Sequence, residues 1–154
     1  MSDDRWFEVA ADAASAARHF GAAVRLYRAG GFDAPDLDGY RAAMVFQHAM
    51  QSGHTSLEAA LLRVLDLLGE ARPSGRDWHA DLIRRASATL PTRGPLLDAE
   101  EASAADRTRR FRHVAMRAYD GFEPEEAVRA VEAAERLAAR LPAWVPRLRA
   151  VLDP

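Results

Sequence analysis

Residues 40–69 read YRAAMVFQHAMQSGHTSLEAALLRVLDLLG, and the apolar members of this stretch recur in steps of three and four. Tyr40, Met44, Gln47, Met50, His54, Leu57, Leu61, Val64 and Leu68 fall on one stripe, the pattern of a helix that buries one face. At ~1.5 Å per residue such a helix is about 45 Å long. It follows Pro35-Asp36 and is stopped by the run from Gly69 to Pro73.

The same period extends on both sides. Upstream, Trp6, Ala10, Ala13, Ala17, Phe20, Val24 and Tyr27 predict a first helix that ends at Gly30-Gly31. Downstream, a short helix follows Ser74-Gly75 with Trp78, Leu82 and Ile83 inward, and Leu90 to Pro95 reads as a loop. Asp98 and Glu101 have capping-box spacing for a fourth helix that runs to Tyr119 and stops at Asp120-Gly121. Pro124, Glu125 and Glu126 suit the first turn of a fifth. Its inward stripe reads Val128, Val131, Ala134 or Glu135, Ala138 and Leu141, and Pro142 is expected to kink or restart it before Trp144, Val145 and Leu148. No strand-like alternation and no internal repeat stand out. The pattern predicts an all-α bundle of about five helices in a single domain over residues 1–154.

Composition narrows the chemistry. The 154 residues contain 33 Ala, no Cys and no Lys, so all 21 basic side chains are Arg, and the net charge is −2. Without Cys there is no thiol nucleophile, redox pair or cysteine-ligated zinc. His19, His48 and His79 show neither HxxxH nor HExxH spacing, so no metal and no cofactor are expected. No apolar run approaches the ~18 residues of a membrane span, and no apolar leader follows the acidic start, so a cytoplasmic protein is expected.

Arginines concentrate late in the chain. Arg107, Arg109, Arg110, Arg112 and Arg117 lie in eleven residues together with His113 and no acid. Guanidinium forks suit phosphate oxygens, and a groove for single-stranded RNA needs such cations; a solvated helix face near a C-terminal end is the plainer reading. Metal-independent RNA cleavage needs a base for the 2′-hydroxyl, an acid for the leaving 5′-oxygen and cations on the phosphorane. His113 with Arg109 or Arg112 supplies part of that set. His54, on the apolar stripe four residues before Glu58, is either a satisfied core histidine or a site residue facing the bundle centre. A Glu58 turned inward needs a partner, and an arginine of the fourth helix is in position to be one.

Phe111-Arg112-His113-Val114-Ala115-Met116-Arg117-Ala118-Tyr119-Asp120 resembles the C-terminal signature of HepT-like proteins of the HEPN superfamily. The segment from His54 through Leu57-Glu58 to Arg72-Pro73-Ser74-Gly75-Arg76-Asp77-Trp78-His79 is similar to their central region, and together the two span roughly residues 40–140. The resemblance implies a dimeric HEPN-like helical bundle. It further implies a toxin with metal-independent endoribonuclease activity, paired with a nucleotidyltransferase antitoxin that adenylylates a tyrosine. The family motif is Arg-x4–6-His, often continuing x-Tyr. In this chain the motif arginine falls on Arg112 and the tyrosine on Tyr119, while the histidine position holds Arg117.

Arginine stays protonated and cannot shuttle a proton. His113, separated from Arg107 by five residues as the broad motif allows, is then the candidate for proton transfer. The expected assignment is Arg112, His113 and Arg117 at the catalytic centre, with Arg107, Arg109 and Arg110 on substrate. Tyr119 is the regulatory target, and His54 and Glu58 support the site; adenylylation of Tyr119 would set an anion beside Arg112. The expected partners are a second copy, the nucleotidyltransferase antitoxin and RNA, with no membrane. The alternative is a catalytically degenerate HEPN module that binds a nucleotidyltransferase or nucleic acid without cleaving it.

Overall fold

A computed structural model describes residues 3–117 and 124–154, with side chains at 3–114 and 127–154. Five helices account for nearly all of it: α1 (Asp3–Ala29), α2 (Asp36–Leu67), α3 (Trp78–Ser87), α4 (Ala99–Arg117) and α5 (Pro124–Leu152). No strand occurs among the described residues; a lone bridge between Leu90 and Arg93 closes the loop before α4. No helix there is long and apolar enough to cross a membrane.

Helix α1 buries Trp6, Val9, Ala13, Ala16, Phe20, Ala23 and Val24 against α2 and α5. It stops where Gly30 and Gly31 take φ of 68° and 86°, a left-handed turn that glycine adopts without a Cβ clash. Helix α1 meets α2 tightly at Gly53, where a β-carbon would stand 2.6 Å from the Phe20 ring. Glycine there lets the aromatic lie directly on the helix backbone.

Helix α2 is covered from two sides, by α1 on one and by α3 and α4 on the other. Its buried surface is therefore wider than one stripe, and Phe46, Ala49, Glu58, Ala60 and Leu65 join the expected set. Tyr40, expected inside, is 63% exposed, because the first turns of α2 lie beyond what the other helices cover. Phe46 contacts Phe111 edge-on at 5.7 Å, and residues 54 and 58 meet 108 and 112. About 18 Å of α2 thus meets little more than one turn of α4, so α4 crosses α2 instead of running beside it.

The start of α4 is a reciprocal capping box. The Asp98 N–H donates to Glu101 Oε2 at 3.0 Å, and the Glu101 N–H donates to Asp98 Oδ1 at 2.7 Å. Glu101 is buried and also receives Arg140 Nε at 3.3 Å and Arg147 Nη2 at 2.8 Å from α5. Helix α5 continues unbroken through Pro142 and Pro146, contrary to the expected restart at Pro142. Both prolines face solvent. Water can therefore satisfy the carbonyls they leave unbonded, while the inward side is fastened by Trp144 Nε1 donating to the Leu96 carbonyl at 2.9 Å. Val128 stands exposed, and Ala127, Ala130, Ala133 and Leu137 occupy the inner face with Val131, Ala134 and Leu141.

One loop is stitched rather than packed. The buried Arg93 guanidinium donates to Glu70 Oε2 at 2.7 Å and to the carbonyls of Arg85, Ala88 and Gly94. This ties the chain after α2 to the α3–α4 connection and fixes how α3 is presented to α2 and α4.

Candidate functional site

Where α2, α3 and α4 meet, a single carboxylate gathers the polar side chains. Glu58 is buried in the wall of α2, and its Oε1 accepts Arg112 Nη1 from α4 at 2.9 Å. Its Oε2 accepts His79 Nδ1 from α3 at 2.5 Å and lies 3.4 Å from His54 Nε2, one turn earlier on α2. Burial pushes the Glu58 carboxyl upward, but the His54 and His79 hydrogen bonds and charges outweigh it and leave it below the ordinary glutamate value.

Thr108 decides how His54 is used. Its hydroxyl donates to the Ala105 carbonyl at 3.0 Å, so its oxygen accepts the proton of His54 Nδ1 at 2.8 Å. Nδ1 is thereby occupied, and Nε2 is the nitrogen that faces Glu58. The group is not a metal-holding set: Arg112 takes one carboxylate oxygen, Thr108 takes one imidazole nitrogen, and no cluster suited to a metal occurs among the described residues.

His79 and Arg112 form the solvent side of this cluster, with side chains 35% and 24% exposed. The His79 ring stacks on Trp78, centroids 3.7 Å apart and planes 29° inclined, which limits its rotation. Both belong to the first turn of α3, placed by the turn at Gly75 (φ 99°).

The arginine run does not point one way. Among the described side chains of the run only Arg112 reaches Glu58, while Arg109 and Arg110 both pair with Asp106, the acid just before the run, at 2.8 and 2.9 Å. Arg107 lines an open cleft of about 330 Å³ between α4 and α5 with Arg129, Glu132 and Arg136. His113 is exposed and has no partner among the described residues. The Arg117 side chain and Tyr119 lie outside the described residues. The structure thus brings Arg112, Glu58 and His54 together and adds two residues that the sequence reading did not place there. His79 was visible only as the last residue of the Pro-Ser-Gly…Trp-His segment; Thr108 carried no signal within an arginine-rich stretch.

An α-helical bundle whose arginine-bearing α4 crosses α2 over a buried carboxylate defines a class in which helix faces, not loops, carry the polar site. A model of the HepT-like protein family matches residues 45–152, which takes in α2 from its third turn through to the end of α5. The chain belongs to the HepT-like family of the HEPN superfamily. No curated protein and no solved structure matches it.

Proposed function

We propose that this protein is a HepT-like toxin, a metal-independent endoribonuclease held in check by a nucleotidyltransferase antitoxin, and that residues 1–154 act as one domain in the cytoplasm. The observation that carries this reading is the placement of Arg112 on Glu58 at the mouth of a cluster that also holds two imidazoles. Only one guanidinium nitrogen is given to Glu58, so the remaining donors are available to a phosphodiester. Arg112 is the phosphate clamp, His113 a proton carrier beside it, and Arg117 and Arg107 further cations for RNA. Tyr119, seven residues beyond Arg112, is the residue the antitoxin would adenylylate.

A second copy completes the cleft. Tyr40 and Val45 on α2 and Val114 on α4 stand exposed and supply apolar area for such a contact. Sedimentation at micromolar concentration should give a dimer, and a monomer alone would remove the composite cleft. Purified protein with a structured RNA in EDTA should produce fragments ending in 2′,3′-cyclic phosphate, and Arg112→Ala should lower their rate by two orders of magnitude or more, about what one transition-state donor contributes.

Arg117 at the motif-histidine position favours a second reading, a HEPN module that binds the nucleotidyltransferase or RNA without cutting it. RNA left intact at high protein concentration selects that reading. Intact mass of protein co-expressed with its genomic neighbour distinguishes the antitoxin partner, through the added nucleotide on Tyr119.

A further inference from the structure

Glu58 presents two solvent-reaching groups side by side, Arg112 on one oxygen and His79 on the other. The His79 contact is made through Nδ1, so the carboxylate holds a proton on that nitrogen and leaves the Nε2 lone pair as the reactive position. Nε2 has no partner among the described residues, and the Trp78 stack fixes the plane in which it points. The charged and titratable groups that the structure sets against this ring or its carboxylate are Glu58 and His54 from α2 and Arg112 from α4. A carboxylate bound to one imidazole nitrogen, with the other nitrogen open beside a fixed cation, is the arrangement of a general base next to an anion clamp. As a structural ion pair alone, Glu58 is already served by Arg112, and His79 adds a proton acceptor on the wet side.

We propose that His79 is the catalytic base of this site, acting on an RNA phosphodiester whose phosphate rests on Arg112, with Glu58 as its positioning residue; this rests on the ribonuclease reading. Nε2 takes the proton of the 2′-hydroxyl while the 2′-oxygen forms a bond to phosphorus. The bond from phosphorus to the 5′-oxygen breaks, and that oxygen leaves as an alcohol with a proton from solvent. The imidazolium returns its proton to water, leaving a 2′,3′-cyclic phosphate and a 5′-hydroxyl. The proton acceptor that Arg117 cannot be is thereby supplied from α3, a different helix, in place of His113.

Two measurements on the full chain test this together. In the first, histidine side-chain 15N NMR follows a titration with inorganic phosphate, in wild type and in Arg112→Gln. Phosphate should move the Nε2 resonance of His79 in wild type and leave it in place in Arg112→Gln. In the second, cleavage of a structured RNA in EDTA is compared for wild type and His79→Ala, the latter checked for fold by circular dichroism. His79→Ala should lose kcat by about 100-fold or more with KM changed less than about threefold, and added imidazole should restore part of the rate. A histidine with only a structural role would not respond to imidazole. RNA cleaved equally by wild type and His79→Ala overturns the base assignment and leaves the ribonuclease reading standing. RNA left intact by wild type overturns both, and an unmoved Nε2 then also removes Arg112 and His79 as an anion site.

Discussion

Glu58 sets the energetics of its neighbours because it is a buried carboxylate with three partners on three sides. Its folded pKa lies below the ordinary value, so the stability it contributes is present above about pH 4.3 and is lost as pH falls through the lower folded value. Thermal melts between about pH 6 and about pH 3 should therefore fall more steeply for wild type than for Glu58→Gln. At neutral pH that variant should be less stable by about 2–3 kcal/mol, under the cost of breaking a fully enclosed pair because Arg112 and His79 both touch water. Thr108→Val keeps the shape but strands the buried His54 Nδ1–H, and denaturant unfolding should register a loss of about 1–3 kcal/mol. Much of this residue-level picture is legible in the sequence, since His54 and Glu58 stand one turn apart on an apolar stripe and a carboxylate there demands a cation. His79 is not legible in that way. It reaches Glu58 only because the Arg93 stitch and the Gly75 turn bring α3 back onto α2, and no helical period reports a contact made across a loop.

Among the helices, α4 shows how a run of like charges is divided by geometry. Successive residues are about 100° apart around a helix, so arginines at positions 107, 109, 110 and 112 are spread around α4 and cannot share one surface. Arg112 turns to α2, Arg107 to α5, and Asp106 takes the pair between them. The run was conspicuous in the sequence, whereas its partition depends on which side each neighbouring helix occupies. The opening of α4 was directly readable, because the two capping bonds between Asp98 and Glu101 close within a single turn. Asp98→Ala should cost about 1–2 kcal/mol by chemical denaturation, through the lost cap together with the Arg140 contact. The prolines of α5 teach the opposite lesson. Their local rule predicts an interruption, but they lie on a wet face opposite a densely fastened one, and the packing prevails.

For the molecule as a whole, the near balance of 21 basic and 23 acidic side chains means that RNA is not drawn by overall charge. Attraction must come from the few guanidiniums left with open donors, so binding should follow salt with a log–log slope near −2, as for about three phosphates on a single strand. A slope near zero would remove the phosphate role of Arg112 and Arg107. The all-α class and the number of helices follow from apolar periodicity. The shape follows from features periodicity does not encode, such as Phe20 seated on Gly53 and α4 lying across α2.

The buried Glu101 between α4 and α5 accepts from Arg140 and Arg147 at once, besides capping its own helix. Each arginine is thereby a spare for the other. Loss of either alone leaves the carboxylate neutralised, and loss of both abandons an enclosed charge, so the penalty of the double change exceeds the sum of the single ones. Sequence drift at one of these two positions should pass almost silently until the other has also gone.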